Sequence, residues 1–297
     1  MVTDSDSNPD PASRYAHLDF DPEAVQVRAA ATVMIVDDRP DLQVLMLKRN
    51  ARSVFVGDMW VYPGGAVDPE DGHGTVAELC TGEDETSASA ALGVERDGLA
   101  YWVAALREMF EEAGVLLAHR VGEHGLIDLS AREVEARFSV YRDEVNGGDT
   151  RFMNVIAAEQ LRLHLTDMHY VGHWVTPMGP PRRYDTRFFL AAMPAGQTPL
   201  HDDDEAVHHT WIRPADAVAM NRADEMVMMT PTIAMMKRLL PYQSAAEAVA
   251  AASGGEVEHV RILPDVEGPD RIVFPGDPGY NTADREREFG RVTLAHP

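Results

Sequence analysis

The sequence has one cysteine, few basic residues and no long apolar run, and each shortage excludes a class of protein. A lone Cys80 allows no internal disulfide and no multi-cysteine zinc site. The formal charge of -23 would repel nucleic acid and anionic membrane surfaces. No segment approaches the roughly eighteen apolar residues of a membrane span, and the first twenty residues lack the makings of a signal peptide. We therefore expect a cytoplasmic protein whose main partner is neither nucleic acid nor membrane.

Turn-forming segments divide the chain into strands and helices that interleave, which predicts an α/β or α+β domain over residues 21–242. The acidic, polar residues 1–20 predict a disordered N-terminus, and residues 243–297 form a C-terminal extension with short strands near 257–263 and 271–274. Two segments are predicted to be insertions: 69–97, a surface insertion with one short helix, and 130–165, which is helical. Strands are expected near 27–36, 42–47, 59–62, 170–175, 186–192 and 207–212, and helices near 130–144, 152–163, 214–220 and 230–240.

The strongest periodic pattern in the sequence lies between Asp97 and Gly114. Apolar residues recur there every three or four positions, as the core-facing stripe of a helix requires. They are Leu99, Trp102, Val103, Leu106, Phe110 and Ala113. Asp97 is the predicted N-cap, and Gly114 the predicted end of the helix.

The opposite side of this helix carries Arg107, Glu108, Glu111 and Glu112. Such a face is most often simply solvated. Glu108 and Glu112, however, repel each other at i,i+4, and a divalent cation would relieve the repulsion. Carboxylate oxygens are the ligands that Mg²⁺ prefers, so this face is either a solvated surface or a metal site.

A glycine turn upstream, Pro63-Gly64-Gly65, follows a short predicted strand, and we expect a loop to begin there. Two glycines would let the backbone approach the charged helix closely. Together the turn and the helix predict a pocket shaped for a diphosphate, with Gly64 and Gly65 contacting the substrate.

The run Arg107-Glu108-Met109-Phe110-Glu111-Glu112-Ala113-Gly114-Val115 resembles the second half of the Nudix box, G-x5-E-x7-R-E-U-x-E-E-x-G-U, where U is bulky and aliphatic. Gly65 resembles the glycine that opens the box. Arg107 follows it by 42 positions instead of 14, so an insertion of 28 residues splits the motif. Counting forward from Gly65 reaches Asp71, and counting back from Arg107 reaches Leu99. Neither is the glutamate of the pattern, and whether Asp71 replaces it stays open.

Four further segments resemble the coenzyme A diphosphatase-like branch of the Nudix hydrolases, namely 47–53, 60–68, 102–117 and 182–189. The resemblance implies a Nudix fold, an α/β/α sandwich in which helices flank a mixed sheet. It also implies hydrolysis of a nucleoside diphosphate linked to another group, with coenzyme A or acyl-coenzyme A as substrates and Mg²⁺ or Mn²⁺ as cofactor. A homodimer is one assembly that the sequence leaves open.

Residue roles follow from the same resemblance. Glu108, Glu111 and Glu112 would be metal ligands, with Glu111 and Glu112 also counted as catalytic, and Arg107 would orient a glutamate. Glu205, in the acidic run 201–205, is the predicted activator of the attacking water, although an acidic turn before a strand is equally ordinary. Arginines near the expected pocket would bind phosphate, each with a surface role as the alternative. They are Arg49, Arg52, Arg182, Arg183 and Arg187.

A second class of function competes with hydrolysis. The missing box glutamate and the long insertion are compatible with a nucleotide-binding sensor or regulator that has kept the fold and lost turnover. A scaffold that uses the acidic face for protein contacts is a third hypothesis, and it predicts no metal-dependent change in melting temperature.

Overall fold

The computed structural model describes residues 20–50, 58–176, 180–200, 206–254, 258–263, 271–274 and 277–292. Its centre is strand β1 (Val27–Asp38), which pairs antiparallel with β2 (Leu42–Arg49) and parallel with β9 (Arg183–Ala192). Strands β8 (Met168–Val175) and β10 (Ala206–Ile212) lie beside β9 and β2. The result is a mixed sheet, as the sequence predicted.

Alternate residues of β1 face two separate cores, which is why the strand is apolar without interruption. Val33 and Ile35 pack on one side against helix α2 (Gly98–Ala113). Met34 and Val36 pack on the other side against three helices. These are α5 (Pro214–Arg222), α6 (Thr230–Lys237) and α7 (Ala245–Ala252). A sheet between two helical layers is the predicted α/β/α sandwich.

Helix α2 buries the predicted stripe completely, since Leu99, Trp102, Val103, Leu106, Phe110 and Ala113 are all in the core. Gly114 ends the helix in the left-handed conformation, with φ of 67°, as expected. Asp97 is the N-cap residue, as predicted, but its side chain accepts no capping hydrogen bond. The carboxylate of Glu85 takes that role, accepting from the N–H groups of Gly98 and Leu99 at 3.1 and 3.2 Å.

The segment 69–97 is ordered structure packed on α2. Two short 3-10 turns, Pro69–Gly72 and Val76–Leu79, lead to β5 (Cys80–Thr81) and helix α1 (Glu85–Leu92), the short helix that the sequence predicted. The helix expected over 152–163 is wrong at its end: α4 (Phe152–Ala158) stops early, and β7 (Leu161–His164) follows. Strand β7 joins β5 and β6 (Ala118–Arg120) in a small sheet, and α3 (Arg132–Asn146) precedes α4.

The chain after Tyr242 extends the main sheet. Helix α7 packs in the second core, while β11 (Glu258–Leu263), β12 (Arg271–Val273) and β13 (Asp284–Val292) continue the sheet beyond β8. Strand β13 pairs antiparallel with β8, and the sequence had not predicted it. Among the described residues, none of the helices has the length and apolar character needed to cross a bilayer.

Candidate active site

The glycine turn predicted before the charged helix is itself a strand. After β3 (Trp60–Val61), residues Gly64–Ala66 form β4, which pairs antiparallel with residues 30–32 of β1. The expectation that a loop begins at Gly64 is therefore wrong. Glycine is disfavoured in strands unless another group approaches closely, and here the approaching group is α2.

Both glycines have close contacts, on the two sides of β4. A Cβ on Gly65 would overlap the carboxylate of Glu108. A Cβ on Gly64 would overlap Thr32 and the carbonyl oxygen of Ala31 in β1. Strand β4 therefore contacts α2 through Gly65 and the central strand β1 through Gly64.

Arg107 contacts both halves of the split motif. Its Nε and Nη2 donate to the two carboxylate oxygens of Asp71, each at 2.9 Å. Its Nη2 also donates to the carbonyl of Ala66 at 2.8 Å. Asp71 is 3 % exposed and Arg107 9 %. Asp71 thus reaches Arg107 across the insertion by a bidentate ion pair.

Glu108 and Glu111 share the third nitrogen of that arginine. Nη1 of Arg107 lies 2.8 Å from Glu108 Oε1 and 3.4 Å from Glu111 Oε2. Burial raises the pKa of Glu108 to about 7, and it also raises the pKa of Glu111, although the charge of Arg107 opposes both shifts. Burial alone would lower the pKa of Arg107, but its three acidic neighbours raise it above the ordinary value. The face carries more buried negative charge than one arginine neutralises.

Glu112 is turned to the opposite flank of the helix. Its Oε2 accepts a hydrogen bond from the N–H of Gly64 at 2.9 Å, and its Oε1 lies 3.8 Å from Nη1 of Arg49. The structure therefore brings together Arg49, Gly64, Gly65 and the four charged residues of α2, all of which the sequence had selected. Glu112 is 5 % exposed, so this flank is also largely withdrawn from water.

A divalent ion fits the chemistry of these residues, although they do not converge on one point. In the part of the chain that the structure describes, no group of three or more His, Cys, Asp or Glu residues is arranged to hold a metal. Glu108 and Glu111 meet at the Arg107 nitrogen, and Glu112 binds the strand. The donors are hard carboxylate oxygens, and burial disfavours the charge of Glu108 and Glu111, so a hard cation would find an electrostatically favourable place beside them.

Two residues that the sequence analysis missed hold the end of α2 that carries the glutamates. Arg142 of α3, 7 % exposed, donates from Nε to the carbonyl of Glu111 at 2.7 Å and from Nη2 to that of Glu112 at 3.0 Å. Asn146 adds a bond to the Glu111 carbonyl at 3.3 Å. A cation at the carboxyl end of a helix is favourable because unpaired carbonyls concentrate negative charge there. The sequence did offer a sign of this role, because Arg142 lies at the helical spacing of the residues that α3 buries.

The remaining predicted residues lie elsewhere. Arg182 is exposed, and Arg183 donates to the carbonyl of Thr176 at 3.1 Å. Arg187 is 4 % exposed and pairs with Asp185 above the ring of Tyr101. In the described residues, the polar contacts of Arg183 and Arg187 thus go to groups other than the α2 glutamates. Arg52 and Glu205 lie outside the described residues, so their roles stay predictions.

The mixed sheet between two helical layers, with a glutamate-bearing helix against a glycine strand, is the architecture of the Nudix hydrolases. The crystal structure of a NUDIX hydrolase from Alicyclobacillus acidocaldarius superposes with a TM-score of 0.63 and 27% sequence identity. The match covers 76% of this chain and 97% of that chain. The fold expected from the resemblance is therefore confirmed.

The chain belongs to the NUDT19 Nudix domain family, whose model matches residues 74–239. That range contains the charged helix α2 but starts after Gly64 and Gly65. In the structure these two glycines lie in β4, which packs against α2. Proteins named "Acyl-coenzyme A diphosphatase NUDT19" are similar to it. The Xenopus laevis protein is 25% identical over 67% of this chain, and the Gallus gallus protein 25% over 85%.

The chain spans 60% of the length of the Xenopus relative and 81% of the Gallus relative. A Homo sapiens protein of the same name is 27% identical over 63% of this chain and 52% of its own length. These names agree with the coenzyme A diphosphatase-like branch indicated by the four sequence segments, and that resemblance is confirmed at the level of the family.

Proposed function

We propose that this protein hydrolyses the diphosphate linkage of a nucleoside diphosphate derivative, with coenzyme A or an acyl-coenzyme A as substrate. The observation that carries the proposal is the packing of two glutamates of α2 against the glycine strand: Glu108 lies against Gly65, and Glu112 accepts a hydrogen bond from Gly64. This packing places their carboxylates beside two glycines, whose lack of side chains leaves the approach of a ligand open. The names of the NUDT19 relatives support the choice of substrate.

Glu108, Glu111 and Glu112 would hold the divalent metal, Mg²⁺ or Mn²⁺. Such an ion, when bound, neutralises charge on the diphosphate and lowers the pKa of water. The chain's own residues supply the rest of the arrangement. Arg107 fixes two of the glutamates and anchors them to Asp71 and the Ala66 carbonyl, and Arg142 holds the backbone that carries Glu111 and Glu112. Arg49, beside Glu112, would contact phosphate oxygens, since its planar fork matches them.

The alternative of a sensor without turnover rested on the missing box glutamate. We propose that Asp71, which pairs with Arg107 at 2.9 Å, takes the place of that glutamate, and this pairing supports hydrolysis over the alternative. The proposal also includes Glu205 as the activator of water, a homodimer, and a small-molecule diphosphate substrate, which the names of the relatives support.

The test is a substrate panel. The purified full chain is incubated with Mg²⁺ or Mn²⁺ and coenzyme A, acyl-coenzyme A, ADP-ribose, NADH or a dinucleoside polyphosphate, and the products are separated by chromatography. Cleavage of coenzyme A to two phosphate-bearing products, abolished by a chelator, is the expected result. Absence of cleavage of every compound would overturn the proposal. Tight binding of one of them without turnover would favour the sensor.

A further inference from the structure

A cavity of about 600 Å³ opens beside Glu111, and nothing in the proposed reaction yet uses it. Its walls come from the two insertions: the 3-10 turns of residues 68–79 form one wall, and residues 145–154, from the end of α3 to the start of α4, form the other. The volume lies within the range of roughly 300–1,000 Å³ found for small-molecule sites. The cavity therefore has the size of a substrate subsite and adjoins the proposed metal ligands.

The charges on the two flanks of α2 are opposite. On the Glu111 flank the cavity is lined by the carboxylates of Asp68, Glu70 and Asp71. On the Glu112 flank lies Arg49, with Nη1 3.8 Å from the carboxylate. An anionic group would be repelled from the cavity and attracted to the arginine flank.

The lining also contains groups that suit an uncharged chain. Val76 and Phe152 are buried and give an apolar floor, and Met153 is half-buried beside them. Thr75 and Thr150, on opposite walls, carry hydroxyl groups that both donate and accept hydrogen bonds. A chain of methylene groups and amides would match this mixture, because its methylenes cover the apolar floor and its N–H groups find oxygen acceptors.

An ion pair links the two walls at the surface. Nη2 of Arg151 lies 2.7 Å from Oε1 of Glu70, although both side chains are largely exposed. Arg151 thereby offsets one of the lining carboxylates and joins the first insertion to the second. The cavity is consequently a product of both insertions together with α2.

We infer that this cavity binds the uncharged, amide-containing half of the substrate, while the nucleotide half, with its extra phosphate, lies toward Arg49. The inference rests on the proposed hydrolysis of a coenzyme A-type diphosphate and adds to it the orientation of the substrate. It assigns to the two insertions the recognition of the non-nucleotide group.

The test fills the cavity from each wall. Thr75→Trp and Met153→Trp place an indole in it, and Thr86→Trp, on the exposed surface of α1 in the same insertion, is the matched control. Each variant is assayed with coenzyme A and with the methyl ester of 3′-phospho-ADP, which keeps the nucleotide and the diphosphate but lacks the amide chain. The measured quantity is kcat/KM for coenzyme A divided by kcat/KM for the methyl ester.

We expect both cavity variants to lower this ratio by about 10-fold or more, mainly through the KM for coenzyme A, because binding energy from a remote part of the substrate is lost. The control should keep the ratio of the original chain. An unchanged ratio in both cavity variants would overturn the inference while leaving the hydrolase proposal standing. Circular dichroism and melting temperatures identify a variant that has failed to fold, and the other wall then provides the result.

A binding measurement separates this inference from the hydrolase proposal. Pantetheine, the amide chain alone, is titrated into the full chain and followed by ligand-detected NMR. We expect pantetheine to bind the original chain and Thr86→Trp but not Thr75→Trp or Met153→Trp. This result would support the cavity as the binding site of the amide chain even where no substrate of the panel is cleaved. Equal binding by all four proteins, or none by the original chain, contradicts it.

Discussion

The two faces of helix α2 are both withdrawn from water, but for opposite reasons. Leu106 and Phe110 are buried because apolar surface packs against the sheet. Arg107 and Glu112, 9 % and 5 % exposed, are buried because β4 and the Asp71 turn cover them. Burying charge costs free energy, and here the neutralisation is incomplete. Buried charges of this kind are concentrated at functional sites, because an apolar face would give a more stable protein.

The largest expected effect is on activity and comes from the charged face. Glu111→Gln or Glu112→Gln should lower kcat/KM by about 10³-fold, because each removes a carboxylate that would stabilise a cation at the diphosphate. The melting temperature should stay close to that of the original chain. Burial already disfavours the charge of Glu111, and a glutamine at 112 still offers an oxygen to the N–H of Gly64.

Glu95→Gln, at an exposed position of the 69–97 insertion, is the control for this pair and should leave both activity and melting temperature unchanged. If either α2 variant instead unfolds while activity per folded molecule is preserved, the assignment of these glutamates is wrong and the charged face has only a structural role.

The next largest effect is expected from Asp71, which pairs with Arg107 on the charged face. Asp71→Asn leaves the buried Arg107 without its bidentate partner and should lower the free energy of unfolding by about 3–5 kcal/mol, the usual range for breaking a buried pair. Loss of this support should also lower kcat/KM by roughly 10- to 100-fold. Urea denaturation and steady-state kinetics measure the two effects. Asp71→Glu keeps the charge and should recover part of both, and equal losses in the two variants would contradict the ion-pair role.

The apolar face should respond in the opposite way. Leu106→Ala removes a fully buried side chain next to Arg107 and should cost about 2–5 kcal/mol in the free energy of unfolding. Activity per folded molecule should change little, because Leu106 belongs to the apolar core between α2 and the sheet. A drop in kcat/KM as large as that of Glu111→Gln, in protein shown to be folded, would mean that the two faces are not separable.

The sequence predicted α2 well because its signals are local. The apolar stripe, the terminal Gly114 and the charged residues all lie within one window of about 3.6-residue periodicity. Strands β1 and β2 were equally recognisable as apolar, β-branched runs broken by a turn. These elements are determined by residues near each other in the chain, so one sequence is enough to place them.

Long-range pairing explains most of what the sequence could not predict. Asp71 meets Arg107 across 36 residues, and an insertion hides the spacing that would have connected them. Gly64–Ala66 is a strand only because β1 offers it partners, since glycine itself disfavours the conformation. For the same reason, residues 161–164 leave the helical pattern and pair with β6, and β13 forms where β8 presents an open edge.

The smallest effects come from the two glycines, where the structure predicts a contrast between neighbours. Gly64→Ala would push a Cβ into the backbone of β1, which cannot move without shifting the central strand, and should cost about 1–3 kcal/mol in the free energy of unfolding. Gly65→Ala would meet only the end of the Glu108 side chain, which can rotate away. It should therefore cost less stability but displace a proposed metal ligand. Melting temperatures and the concentration of Mn²⁺ giving half-maximal activity distinguish the two. Identical behaviour of both variants would show that Glu108 is not held against β4 in the way that the structure indicates.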